Sequence, residues 1–142
     1  MDLLSGVQSS AAALEAQRLR MDIISQNIAN AQTTRGPDGK PYQRKEVVFE
    51  NLLNSQDTLT QGDMLGEAMV QVARVQNDNS PPKMVHMPGH PDADPNGMVA
   101  MPNVNIHREM VDMISSSRAY EANLSVVKAS RAMAEKTLNM GN

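Results

Sequence analysis

Apolar residues recur at helical spacing near both ends of this chain, and the N-terminal end carries more of them than one neighbour would cover. Val7, Leu14, Met21 and Ile28 fall every seven residues, with Leu3, Ile24 and Ala31 around them. This heptad stripe predicts a helix over residues 3–31, about 45 Å long at ~1.5 Å per residue. A weaker stripe runs through Leu4, Ala12, Ala16, Leu19 and Ile23, so the helix has two packing faces. Residues 106–140 predict a second helix, about 50 Å long. Ile106, Met110, Met113, Tyr120, Leu124, Val127, Ala134 and Leu138 occupy eight of ten positions in a 4-3-4-3 spacing, broken at Ser117 and Arg131. Asn103 or Asn105 caps its start and Gly141 suits its end. Neither helix is stable alone in water, because each would leave an apolar stripe exposed.

The middle of the chain follows another rule. "YQRKEVVFE" (42–50) and "EAMVQVARV" (67–75) are short, Val-rich and partly alternating, which predicts strands. "KMVHM" (83–87) and "MVAM" (98–101) are weaker candidates. Polar or Pro/Gly-rich connections separate them: "NSQDTLTQGD", "NDNSPP" and "PGHPDADPNG". The expected fold class is mainly α with a small β insert. The long terminal helices form an antiparallel, coiled-coil-like pair with β-hairpins between them. The expected division is an N-terminal assembly helix (1–35), a hairpin-containing insert (36–102) and a C-terminal assembly helix (103–142).

Composition agrees with helices that pack against other helices. Aromatics are only 2% of the 142 residues, while Met numbers 12. Aromatic side chains bury the most area and Met adapts to irregular gaps, so a dense single core is not expected. A net charge of −3 offers no basic field for nucleic acid or anionic lipid. Cysteine is absent, which excludes disulfides and thiol chemistry. The N-terminus has no basic n-region, no apolar run makes a secretory h-region, and no segment reaches the ~18 apolar residues that span a bilayer. An exported chain of this kind would use a route without a cleaved signal.

The chemical candidates are few. Asp92, Asp94, Asn96 and Gly97 match positions 1, 3, 5 and 6 of a calcium loop. The match fails where a bidentate Glu is required, because position 12 is Asn103. Pro88 and Pro91 forbid an entering helix, and an Asp/Asn/Gly/Pro turn explains the same residues. His86, His90 and His107 lack a positioned nucleophile, and no GxSxG elbow, Walker loop or dinucleotide fingerprint occurs. No catalytic residue, cofactor, metal or small-molecule substrate is expected. Asn27, Asn30, Arg118 and Asn123 stand beside the apolar seams, where polar groups either fix register or simply face solvent.

Two separated motifs add what spacing alone does not. "SQNIANAQTTR" (25–35) and "EMVDMISSSRAYEAN" (109–123) resemble the N- and C-terminal signatures of the bacterial flagellar rod and hook family of axial proteins. "PDGKPYQRKEVVFE" and "HPDADPNGMVAMPNVN" resemble the short proximal rod members, although Met98 and Met101 stand where aromatics are usual. The resemblance covers essentially the whole chain. It implies a structural, non-enzymatic subunit whose terminal helices pack in the tubular core of the flagellum. Asn27, Ile28, Ala29, Asn30 and Thr33 would meet neighbouring subunits on one helix. Met110, Met113, Ile114, Arg118, Tyr120 and Asn123 would do so on the other. The stripes add Val7, Leu14, Met21, Leu124 and Val127 to this packing set.

The partners implied are other copies of the chain, neighbouring rod proteins and the flagellar type III export apparatus. The implied location is the basal body, in the periplasmic rod, reached with an uncleaved N-terminal signal. The alternative function class is a calcium-responsive coiled-coil adaptor built on Asp92, Asp94 and Asn96.

Overall fold

The computed structural model of the chain describes residues 3–52 and 69–140. In chain order it contains α1 (Leu3–Ala29), β1 (Lys45–Leu52), β2 (Met69–Asn77), β3 (Lys83–His86), β4 (Met98–Met101) and α2 (Ile106–Met140). The expected architecture of two long helices with β-hairpins between them is present. The tract 54–63 and Gly141 lie outside the described residues.

α1 stops two residues short of its predicted end. Asn30 and Ala31 turn the chain, with Ala31 N–H bonded to the Ile28 carbonyl at 3.2 Å and Thr33 N–H to the Asn30 carbonyl at 3.1 Å. A tight turn follows, in which Gly36 N–H meets the Lys40 carbonyl at 2.8 Å and Gly39 adopts φ +71°. Tyr42 N–H then reaches back to the Thr33 carbonyl at 3.2 Å, which folds the connection against the end of α1. α2 starts where Asn105 caps it: its Oδ1 accepts from the N–H groups of His107 (3.1 Å) and Arg108 (3.3 Å). Asn103, the other candidate cap, is used elsewhere.

β1 and β2 pair antiparallel from Lys45↔Asn77 to Leu52↔Met69, with a bulge between Val48 and Phe49. β3 and β4 form a second antiparallel hairpin, with Val85 opposite Val99. "HPDADPNG" is a series of tight turns within the loop of that hairpin. Ala93 N–H bonds to the His90 carbonyl (3.0 Å) and Gly97 N–H to the Asp94 carbonyl (2.7 Å). The stretch is the tip that joins β3 to β4, as one of the expected connections between strands.

α1 packs along α2 and also against β1 and β2. The apolar core is thin. Among the described residues the buried apolar side chains are Ala16, Ile23, Ile24, Ala31 and Val99. Alanine and isoleucine at this seam let the helices approach closely, consistent with the scarcity of aromatics. The Arg20 guanidinium lies over the Phe49 ring at 6.0 Å and closes the edge between α1 and β1.

On both helices the inward face overlaps the expected stripe in part. On α1 and the turn after it the buried apolar residues come from both stripes, Ile24 and Ala31 from the heptad stripe and Ala16 and Ile23 from the weaker one, while Val7, Leu14, Met21 and Ile28 are half-buried. On α2 the inward line runs Glu109, Met113, Ser116, Tyr120, Asn123, Val127 and Ser130. It shares Met113, Tyr120 and Val127 with the predicted stripe. It replaces Met110, Ser117, Leu124 and Arg131 by the residue before each. The predicted half-stripe is only half apolar, through Met110 and Leu124, and the residues that take its place, Glu109, Ser116, Asn123 and Ser130, are polar throughout. Glu109 and Ser116 are fully enclosed.

Candidate packing faces and a buried polar node

The most buried chemistry in the chain lies where the end of α1, the start of β1 and the start of α2 converge. Asn27 and Glu109 are both 0% exposed. An unpaired amide or carboxylate at such a place costs several kcal/mol, so the bonds around them decide whether the fold forms. Asn27 satisfies its side chain completely. Its Nδ2 donates to the Lys45 carbonyl (2.8 Å) and to Glu109 Oε2 (3.0 Å). Its Oδ1 accepts from Lys45 N–H (2.9 Å) and the Tyr42 hydroxyl (2.9 Å). The backbone pairing with Lys45 is that of one more strand residue, so α1 caps the open start of β1 with a side chain. It also fixes which end of the amide is oxygen, since Lys45 offers one donor and one acceptor.

Arg44 supplies the cation. Its Nε donates to Glu109 Oε1 at 2.7 Å and its Nη1 lies 3.4 Å from Glu46 Oε2. Its backbone N–H donates to Asn103 Oδ1 (2.8 Å), and Asn103 Nδ2 donates on to the carbonyls of Asp78 (3.1 Å) and Ser80 (3.3 Å). Gln76 Nε2 donates to Glu46 Oε1 at 2.6 Å and carries the network across the β1–β2 hairpin. Burial opposes the Arg44 charge, but the hydrogen bond and charge of Glu109, with Glu46 and Asp78, outweigh it and hold the guanidinium above its ordinary pKa. Burial, then the Glu109 charge, pushes the Tyr42 phenol up. The Ser80 hydroxyl and then its N–H hold exposed Asp78 below the usual carboxylate range.

The Asn27 amide, the Tyr42 hydroxyl, Arg44 Nε and both Glu109 oxygens are bonded to one another or to the Lys45 backbone. The former calcium candidates are likewise engaged: Asp92 Oδ2 accepts from the Thr34 hydroxyl at 2.9 Å and Oδ1 lies 3.6 Å from Arg35 Nη1. Asp92 N–H in turn donates to His90 Nδ1 at 3.1 Å. Asp92 thus ties the second hairpin to the 33–35 segment after α1. Among the described residues no group of three or more His, Asp or Glu side chains is placed to hold a metal ion, and the calcium-adaptor reading of Asp92, Asp94 and Asn96 finds no support.

The packing candidates divide into three groups. Asn27 is wholly enclosed by its own chain, so simple solvent exposure, one of its two expected states, is ruled out. Val7, Leu14, Met21, Ile28, Asn30, Thr33, Met113, Tyr120, Asn123, Leu124 and Val127 are half-buried. Ala29, Met110, Ile114 and Arg118 are exposed. Met110 and Ile114 join Val111, which the stripe did not single out and which is 65% exposed, in one apolar patch facing away from α1. Val126, Met133 and Leu138 add exposed apolar area further along α2.

Tyr42, Arg44, Asn103 and Glu109 were not among the residues singled out for the site. The available signal was the position of Glu109, three residues after Ile106 and four before Met113, on the inward line of an otherwise apolar turn.

Two protein-family models match the ends of the chain: "Flagella basal body rod protein" over residues 8–37 and "Flagellar basal body rod FlgEFG protein C-terminal" over residues 96–140. The first covers most of α1 and the turn after it; the second covers β4 and α2. Along nearly its full length the chain is similar to proteins named flagellar basal-body rod protein FlgC. It is 44% identical to that of Borreliella burgdorferi over 150 residues, covering 97% of each chain. It is 42% identical to that of Salmonella typhimurium over 141 residues, covering 99% of each. It is 38% identical to that of Bacillus subtilis over 149 residues, again covering 99% of each.

Proposed function

Because the chain belongs to the FlgC family of flagellar basal-body rod proteins and is a structural subunit of the basal-body rod, we propose that it forms part of the proximal rod and transmits torque from rotor to hook. In this reading α1 and α2 form an antiparallel, coiled-coil-like pair in the wall of a helical tube. The β1–β2 and β3–β4 hairpins decorate the outside and touch adjacent rod proteins. The partners are further copies of the chain and neighbouring rod subunits. No reaction is catalysed. Delivery is through the flagellar type III export apparatus without a cleaved signal, to the periplasmic part of the basal body.

The observation that carries this reading is the apolar surface left on α2 after α1 has packed. Met110, Val111, Ile114, Val126, Met133 and Leu138 are all at least half exposed. Fully covering such a side chain contributes about 1.5–3 kcal/mol, so several together rival the cost of association. The half-buried stripe Val7, Leu14, Met21 and Ile28 gives α1 a second face of the same kind. A subunit with unsatisfied faces on both helices makes head-to-tail contacts, and contacts that do not close generate a helical assembly.

Cryo-EM of purified basal bodies tests the reading. Density for this chain is expected at the base of the rod, with both terminal helices inside the tube wall and the hairpins on its outer surface. Density with the helices on the outside, or none at the rod base, refutes it.

A further inference from the structure

The buried node makes docking of the two helices depend on the insert. Glu109 lies on the face of α2 that meets α1, and its carboxylate is 0% exposed. α1 offers it one hydrogen bond, from Asn27, and no cation within 4 Å. The cation bonded to it, Arg44, belongs to the segment that begins the insert. That segment is itself seated on α1 by the paired Asn27–Lys45 bonds and on the connection that precedes α2 by the Arg44–Asn103 bond. A buried carboxylate stripped of its cation is far more costly than one that is paired.

We propose that Arg44 is a docking latch: α2 closes on α1 near this end only when the start of β1 has delivered the guanidinium to Glu109, so that the helix pair and the insert form together. The inference concerns the chain's own folding and does not rest on where the subunit sits in the rod. Arg44 is a positioning residue, since it acts through Glu109. Its arrival converts the most expensive group on the inward face of α2 into a bonded one. It also accounts for a carboxylate, Glu109, on the inward face of α2.

The latch has a signature that ordinary packing lacks. Without Arg44 the buried carboxylate must take up a proton for the helices to close, which ties docking to pH. The charged and titratable groups around Glu109 are Arg20 on α1, Tyr42, Lys45 and Glu46 at the start of the insert, and Arg108 and Asp112 on α2. None of these is a histidine.

The test uses the full chain, whose lack of cysteine permits a specific label pair. Asp22→Cys on α1 and Ser115→Cys on α2, both exposed positions, carry spin labels, and the fraction of molecules at the docked distance is read by pulsed electron resonance. The chain with Arg44 intact should show the same docked fraction at pH 5 and pH 8. Arg44→Met should lose docking as pH rises, about tenfold per pH unit while the proton is released. Arg44→Lys, which keeps a charge, should dock more than Arg44→Met and without that pH dependence. Adding Glu109→Gln to Arg44→Met should restore docking at pH 8 and remove the pH dependence. The double variant distinguishes the latch from general misfolding: recovery supports it even where Arg44→Met is undocked at every pH. A double variant that stays undocked overturns the proposal, as does an Arg44→Met chain that docks like the natural one at pH 8.

Discussion

Asn27 saturates its amide inside one chain, and this places its role before assembly. Replacing it with Ala orphans Lys45 N–H and carbonyl, the Tyr42 hydroxyl and one oxygen of Glu109. The expected cost is about 3 kcal/mol of unfolding free energy, measured by urea titration of the isolated chain. Asn27→Asp should be worse at pH 7, because it sets a second carboxylate in hydrogen-bonding range of Glu109 and removes a donor. Tyr42 adds a test by pH. Its phenol is held above the ordinary value of 10.0, by burial first and by Glu109 second. The fold therefore favours the neutral hydroxyl. That stabilisation is complete below about pH 10 and is lost as pH rises through the raised value. Tyr42→Phe should cost about 1 kcal/mol at pH 8 from the lost bond to Asn27. Between pH 10 and 11 its urea midpoint should fall less steeply than that of the natural chain. An equal fall in the two would remove Tyr42 from the node.

The elements were largely legible in the sequence, but their faces only in part. Val-rich alternation located β1 and β2 to within about three residues, and the 4-3-4-3 spacing located α2. What spacing could not reveal is that the inward line of α2 is half polar. Periodicity counts apolar residues, so it selects Met110 over Glu109 and Leu124 over Asn123. The structure reverses the choice at Glu109 because Arg44 and Asn27, distant in sequence, satisfy it there. Asn27 was noticed as a polar residue beside a seam; its partners, Lys45 and Glu109, could not be inferred from local order. The caps are local and so were readable. Asn105→Ala should cost about 1 kcal/mol and loosen the first turn of α2, seen as faster hydrogen exchange at His107 and Arg108. At the tip of the second hairpin Gly97 combines φ +73° with His86 Cε1 and Pro88 Cβ each 3.1 Å from where a Cβ would stand. Gly97→Ala should lower the urea midpoint there by an amount equivalent to about 1–2 kcal/mol.

At the scale of the molecule, the same residues that fail to make a core make a surface. Among the described residues the buried hydrophobic side chains are Ala16, Ile23, Ile24, Ala31 and Val99, and of these Val99 alone is fully enclosed, whereas the outer face of α2 keeps Met110, Val111 and Ile114 in contact with solvent. Exposed apolar patches of this kind mark interaction surfaces, and in the proposed reading this one is covered by neighbouring subunits. The two roles separate under mutation, because the node and the patch occupy opposite sides of α2. Ile114→Glu adds a charge at a position 55% exposed, so the isolated chain should unfold within about 0.5 kcal/mol of the natural one. In the rod the same carboxylate would be covered without a partner, which favours the free subunit. Cells carrying Ile114→Glu should therefore make and export a folded subunit yet build few complete rods, scored by swimming and by counting basal bodies in electron micrographs. Ser115→Glu, one residue along on the same exposed turn but polar already, is the control and should swim normally. A chain with Ile114→Glu that assembles full rods would show that the patch faces solvent in the finished structure as well. The packing would then have to come from the half-buried stripe of Val7, Leu14, Met21 and Ile28 instead.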